Sequence, residues 1–314
     1  MARMKTRISV IALLTGVLLI SYPVFAGEAQ KAQTVKAQTV EVLPNIYTMV
    51  HGDGMDSNTT FIITRDGVIV IDTRPTPVEA RKVMQEIRKH TDLPLLYTIN
   101  THYHGDHTFG NQVFKDSKTI IAHKNVRGTL IDSGKEHLEF FKTFGLPGMD
   151  EVEITLPNMV YEKQMDLYPG EYHLQLIHRG RGHTDGDTII YLEELRMVIA
   201  GDLVFNKKIP YMGDGYVDEW IESLDFIEKN LRNETVIPGH GQVGGRPLMI
   251  AMKHYLISLK ELVVKALKEG KSLKETQDAV RPVLEKKYQD WAKLDWLNGN
   301  IERAWLEYSV KSSM

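Results

Sequence analysis

Thr101-His102-Tyr103-His104-Gly105-Asp106-His107 is the stretch on which the reading of this 314-residue chain turns. Three imidazoles and a carboxylate fall within six positions. Imidazole nitrogen and carboxylate oxygen are the donors that zinc and similar borderline cations take. If the stretch leaves a strand and turns, His102 and His104 point one way and Asp106 and His107 another. One short loop then supplies ligands to two adjacent ions.

The flanking sequence supports such a loop. Residues 46–50, 59–64 and 68–71 are short β-branched runs, separated by Gly/Asp/Asn clusters at 52–58 and 65–67. The run 68–71 has no polar alternation, which predicts a strand covered on both faces. Thr76, Pro77 and Glu79 mark a helix start with a Thr-x-x-Glu capping box, and Val83, Met84 and Ile87 continue at helical spacing. Residues 95–99 form a strand that runs directly into the histidine loop. A short helix near 109–114, a strand at 119–122 and a longer helix over 126–144 are expected next. Residues 159–168 and 172–178 read as strands joined by Pro169-Gly170.

From there a strand, a glycine and a metal-type residue recur. Residues 172–178 lead into Gly180-Arg181-Gly182-His183. A hairpin over 187–192 and 196–200 ends in Gly201-Asp202. A helix over 218–231 precedes Thr235-Val236-Ile237 and then Pro238-Gly239-His240-Gly241. Strand ends are rigid, loops present side chains, and glycine permits close backbone approach. Helical periodicity dominates 245–311, with helices expected at 248–268, 272–280 and 290–308. Trp291, Trp296 and Trp305 read as packing residues of the last helix, and the whole segment as a cap on the sheet.

Seven strand-end residues suffice for two metals. His102, His104 and His183 make a neutral three-imidazole set. Asp106, His107 and His240 make a second, and Asp202 can bridge, offsetting the repulsion of two dications. Two such ions about 3.5–4 Å apart can share a hydroxide and attack a carbonyl or phosphorus. Asp106 would orient that nucleophile and pass a proton to the leaving group. The chain has 12 histidines; His51, His90, His123, His137, His173, His178 and His254 read as surface or strand-face residues.

Composition narrows the class further. The hydrophobic fraction of 42% and charged fraction of 25% are those of a soluble globular protein. There is no cysteine, hence no disulfide, thiolate ligand or cysteine nucleophile. Arg3, Lys5 and Arg7 precede the apolar run 8–20, which is short for a membrane span of about 20 residues. Pro23 then breaks the helix, and Val24 and Ala26 are small residues at −3 and −1. Residues 1–26 are therefore expected to be a signal peptide cut after Ala26, sending the protein to a bacterial periplasm with no remaining membrane attachment. Its loss removes three positive charges and takes the formal charge from −3 to −6. A mildly acidic chain is a poor nucleic-acid partner; a small-molecule substrate is expected. Residues 27–39, which carry most of a Lys-Ala-Gln-Thr-Val repeat, read as a polar spacer. Oligomeric state is not encoded in any of these patterns.

Taken in order, His102-x-His104-x-Asp106-His107, His183, Asp202 and His240 resemble the ligand motifs of the metallo-β-lactamase fold superfamily. The resemblance covers residues 40–245, leaving 246–314 as a C-terminal helical extension. It implies an α/β fold, a four-layer αββα sandwich with the site at one edge of two facing sheets. It also implies a dinuclear centre, usually two Zn2+ per chain, with iron or manganese as other occupants. Gly182-His183-Thr184-Asp185-Gly186-Asp187 and the stretch 210–224 look like the secreted zinc β-lactamases. Where their best-known subclass has a cysteine ligand this chain has Asp202, and where it has a lysine for the substrate carboxylate this chain has Phe205. Lys207 and Lys208, with Asn206, are the candidates for that contact. Aspartate at the bridging place is the pattern of broader hydrolases, including glyoxalase-II-like thioesterases and lactonases. The expected activity is hydrolysis of a β-lactam, lactone or similar ester or amide. A thioesterase, or an iron-dependent oxidation of a thiol or persulfide, is the alternative on the same fold. A non-catalytic metal-binding protein would be expected to lose Asp106 or Asp202.

Overall fold

Two β-sheets face each other, and alternation along their strands decides which layer each side chain enters. The computed structural model describes residues 38–51, 57–117 and 119–312. The expected signal peptide and residues 27–37 of the spacer lie outside the described residues. Gln38 and Thr39, expected in the spacer, already belong to the first strand.

The first sheet holds β1 (Gln38–Leu43), β2 (Ile46–Val50), β3 (Thr59–Thr64), β4 (Gly67–Ile71), β5 (Leu95–Ile99), β6 (Ile120–His123) and β7 (Met159–Tyr161), side by side in that order. Strands β1 to β4 pair antiparallel, and β4 to β7 are parallel. Helix α1 (Pro77–His90) crosses between β4 and β5. The second sheet has the order β12-β11-β10-β9-β8, from β8 (Gln164–Leu167), β9 (Leu174–Ile177), β10 (Ile189–Leu192), β11 (Met197–Phe205) and β12 (Thr235–His240). Only β11 and β12 run parallel there, joined through α5 (Val217–Asn230).

Strand β4 shows why both faces had to be apolar. Ile69 and Ile71 pack with Ile99, Ile121, Leu176, Ile190, Ile199 and Ile237 in the core between the sheets. Val68 and Val70 point the other way, onto Ala80, Val83 and Ile87 of α1. On the far side of the second sheet, Val198, Ala200 and Val236 pack with Trp220 and Leu224 of α5 and with the C-terminal helices. Each fully buried aliphatic or aromatic side chain is worth about 1.5–3 kcal/mol, so these three cores fix the four layers of the αββα sandwich. The C-terminal helices are α6 (Arg246–Lys268), α7 (Leu273–Lys287) and α8 (Leu297–Ser312). Tyr255, Leu256, Leu259, Leu284 and Ile301 share one apolar core with the second sheet. Among the described residues no helix is long and apolar enough to cross a membrane.

Several local expectations change. Thr76 caps α1 by accepting from Glu79 N, but the Glu79 carboxylate pairs with Lys82 at 2.5 Å, so only half of the capping box forms. The loop is followed by one turn of helix, α2 (Gly105–Thr108), and the expected helix over 109–114 is a 3-10 turn at Asn111–Ser117. The helix expected over 126–144 is two, α3 (Lys124–Asp132) and α4 (Gly134–Lys142), broken at Ser133 with φ −135°. Residues 159–168 do not form one strand. β7 ends the first sheet and β8 begins the second, so the chain changes layer at 162–163. Trp291 and Trp296 precede the final helix, which starts at Leu297.

Candidate metal centre

The histidine loop leaves β5 and is anchored by a carboxylate that the motif does not contain. Asp72, at the end of β4, accepts from Thr101 N through Oδ1 at 2.8 Å. Its Oδ2 accepts from Thr101 Oγ1 and faces His107 Nδ1, both at 2.7 Å. Asn100 and Asn111 exchange side-chain hydrogen bonds at 2.9 Å, and Asn100 also donates to His107 O. These bonds close the loop into the single turn α2, which carries Asp106 and His107.

The other ligand candidates arrive from the second sheet. His183 follows β9, its loop held by Thr184, which donates to the Asp187 carboxylate from both N and Oγ1. Burial pushes the Asp187 carboxyl up to about 7, against the pull of those bonds. Asp202 sits inside β11, where a strand end was expected. The β11–β12 register slips on both sides of Gly201, which has φ +51°. Such an irregularity re-aims the next side chain, and that side chain is Asp202. His240 closes β12. Phe205 stacks on it at 5.0 Å and 7°, which is the use this chain makes of the position where a lysine was sought.

All seven candidates meet at one place. His102, His104, His183 and Asp202 form one group and Asp106, His107 and His240 another; within each, the ligand atoms lie within 4.8 Å of one another. Asp202 lies between the groups. Its Oδ1 is 3.2 Å from His107 Nε2, and its Oδ2 is 3.3 Å from His183 Nε2 and 3.4 Å from His240 Nε2. Asp106 Oδ2 is 3.2 Å from His240 Nε2 and 3.4 Å from His107 Nε2. His104 Nδ1 faces His102 Nε2 at 3.1 Å and His183 Nε2 at 2.9 Å.

These donors fit a borderline cation. His107 Nε2 and Asp202 Oδ1 are buried and make no hydrogen bond although they face each other. Three imidazole nitrogens at about 3 Å cannot each present a proton to the others, whereas a cation between them satisfies every lone pair. Burial, together with His107, holds His102 well below the ordinary imidazole value, and burial holds His183 down to about 3. Both rings are neutral, as a ligand must be. Burial opposes charge on Asp202, yet His240, His107 and His183 override it and keep the carboxylate ionised. His107 moves upward, because Asp202, Asp106 and Asp72 prevail over burial, so a cation taken up there would have to displace its proton.

Except for His183 Nδ1, which makes no hydrogen bond, the second nitrogens have neighbours as well. His102 Nδ1 lies 3.1 Å from Thr101 Oγ1, His104 Nε2 lies 3.0 Å from Asp214 Oδ2, and His240 Nδ1 lies 3.3 Å from Lys208 Nζ. Thr101 Oγ1 and Asp214 accept from their rings and so fix the tautomer, whereas the Lys208 ammonium, which can only donate, stands beside His240 without fixing a ligand tautomer. Asp72 and Asp214 were not among the candidates drawn from the sequence. Asp72 had the same strand-end signal as the ligands; Asp214 had none. His137, expected to be a surface or strand-face residue, stacks on His104 at 5.5 Å, and its Nε2 accepts from Gly105 N. Of the three substrate candidates, only Lys208 is buried at the site. The Lys207 ammonium is exposed and lies 3.5 Å from Asp290, and Asn206 donates to Gln242 O at 2.8 Å.

Fold and donor set together define a metal-dependent hydrolase of the two-sheet type. The profile described as the metallo-beta-lactamase superfamily matches residues 52–240, more than half of the chain. The chain belongs to that superfamily. It is 24% identical over 203 residues to a metallo-beta-lactamase type 2 of Bacillus cereus, covering 63% of this chain and 72% of the relative. It is 22% identical over 235 residues to a metallo-beta-lactamase type 2 of Elizabethkingia meningoseptica, covering 73% and 86%. Among solved structures, a metallo-beta-lactamase from Pontibacter korlensis superposes with a TM-score of 0.60 at 15% identity, covering 70% of this chain and 99% of that one. A stereoselective inverting sec-alkylsulfatase from Pseudomonas sp. superposes with a TM-score of 0.67 at 18% identity, covering 87% of this chain and 50% of that one.

Proposed function

We propose that the protein is a periplasmic dinuclear zinc hydrolase that opens a β-lactam, a lactone or a similar ester or amide. The observation that carries this reading is the position of Asp202, whose two oxygens reach nitrogens of both donor groups. That makes the two groups one centre. His102, His104 and His183 would hold one ion, Asp106, His107 and His240 the other, and Asp202 both. Zinc held there would supply Lewis-acid polarisation of a carbonyl oxygen and would acidify water towards neutral pH. Asp106 stands within 3.4 Å of both His107 and His240, so its carboxylate can take a proton from the attacking water and return it to the leaving group.

The assay is direct. Zinc-loaded protein is offered a chromogenic cephalosporin, an aryl lactone, an aryl ester and a thioester, with metal content measured on the same sample. Turnover of at least one carbonyl substrate, with two zincs per chain, is expected, and Asp106→Ala and His183→Ala should abolish it. No turnover on any of them from metal-replete protein sinks the reading. One iron per chain favours oxidation of a thiol or persulfide instead. A second hydrolytic reading, on a sulfate ester, is favoured by one observation. The alkylsulfatase aligns with 87% of this chain, against 70% for the lactamase; a secondary alkyl sulfate therefore joins the panel. Export is tested separately, by N-terminal sequencing of the periplasmic fraction, where the mature chain is expected to begin at Gly27.

A further inference from the structure

Two of the imidazoles are braced from a single loop. Asp214 meets His104 Nε2 and Lys208 meets His240 Nδ1, one histidine from each donor group. Both come from residues 206–217, between β11 and α5. Beside its bonds to Gly182, His240 and Gln242, four bonds tie that loop to residues beyond 246. Ile209 N donates to Ala292 O and Ala292 N to Lys207 O, each at 2.9 Å. Asn300 Nδ2 donates to Pro210 O, and Val217 N donates to Glu307 Oε2, again at 2.9 Å. Trp296 joins the remaining pieces. Its ring lies 5.7 Å from Lys208 Nζ and 6.0 Å from the Tyr211 ring, which is 5.6 Å from His104.

We propose that the C-terminal extension is a positioning element of the metal centre, acting through the 206–217 loop. Asp214 orients His104, and Trp296 keeps Tyr211 against the His104 ring and Lys208 beside His240. This rests on the dinuclear reading above and adds to it Trp296 and the C-terminal extension, which lie outside the matched 52–240 segment. By accepting the Nε2 proton, Asp214 leaves the His104 lone pair on Nδ1, the nitrogen that faces His102 and His183. An imidazole locked in that tautomer loses no rotamer freedom when it binds, and removing such partners costs 10–100-fold in metal affinity.

Zinc binding to the metal-free full protein, in competition with a chromophoric chelator, tests this without any substrate. Asp214→Asn is expected to weaken one of the two zinc affinities about 10–100-fold and leave the other unchanged. Trp296→Ala should weaken the same affinity, and Trp296→Phe should restore most of the loss. Trp305→Ala is the control: Trp305 is in the same extension and bonds Lys271 O, remote from the loop, so it should lower the apo-protein melting temperature and leave both zinc affinities intact. Cobalt substitution adds a visible spectrum that reports ligand geometry and is expected to shift in Asp214→Asn. If Trp296→Ala fails to fold, Tyr211→Ala and Asp214→Asn decide. Wild-type affinities in those variants overturn the proposal, and so does a Trp305→Ala loss equal to that of Trp296→Ala. A wild-type protein that takes up no zinc overturns the dinuclear reading itself.

Discussion

Asp72 shows how much of the centre rests on single residues outside the motif. It is 3% exposed, has φ +60°, and bonds Thr101 twice and His107 once. A left-handed backbone is uncommon for a residue other than glycine and is held here by those bonds. Asp72→Ala leaves the His107 and Thr101 partners unsatisfied, a cost of about 1–3 kcal/mol per buried group. The apo-protein melting temperature should fall, and zinc affinity at the Asp106–His107–His240 group should drop about 10–100-fold, as chelator competition would show. Gly239 is limited by space. A Cβ there would stand 1.9 Å from Asp202 Oδ1 and 2.8 Å from Gly201 C. Gly239→Ala must push the bridging carboxylate aside. The expected result is loss of bound zinc by elemental analysis, with destabilisation of about 1–3 kcal/mol from overpacking.

Among the elements, α5, α6 and α8 meet at one carboxylate. Asp218 accepts from Tyr308 Oη at 2.7 Å and Lys311 Nζ at 2.8 Å and lies 2.7 Å from Lys260 Nζ. Burial opposes its charge, but those partners hold its carboxyl down to about 2. The unfolded chain, with an ordinary carboxyl near 4, binds the proton first as pH falls. The stabilisation is therefore complete above about pH 4 and is lost between about 4 and 2. Asp218→Asn should lower the melting temperature of apo-protein at pH 7 and flatten its dependence on pH across that window. Because the group is partly exposed, the change at pH 7 should be modest, about 1 kcal/mol. Helix periodicity located all three helices. It misplaced the ends where tertiary bonds decide them. Trp291 and Trp296 fit a helical stripe, yet Ala292 is drawn into a backbone pairing with Lys207 and Ile209, and the helix starts only at Leu297. The run 159–168 reads as one strand because nothing local to Glu162 and Lys163 says that the chain changes sheets there.

At the scale of the whole molecule, α5, the loop before it and the C-terminal helices cover the outer face of the second sheet. Val198, Ala200, Leu203 and Val236 share a core with Tyr255, Leu256, Leu259, Leu284 and Ile301. Removing residues 246–314 would expose that face, a patch of the kind that drives aggregation. The truncated protein is expected in the insoluble fraction, or soluble only with rapid proteolysis, whereas the full chain should resist the same protease. A stable, soluble truncation that keeps two zincs would show that the extension is dispensable.

The sequence alone names every residue of the candidate donor set. His102, His104, Asp106 and His107 are local, and His183, Asp202 and His240 each follow an apolar β-run and a glycine. Both signals survive without knowledge of the fold, because ligand chemistry and strand periodicity are short-range. It also determined the layers, since an apolar run without alternation, as at 68–71, must be covered on both faces. Only the tertiary structure decided what braces those donors. Asp72 joins His107 across 35 positions, and Asp214 joins His104 across 110. No spacing rule reaches that far. A carboxylate becomes a partner only when packing brings it to the ring and burial leaves it nothing else to bind.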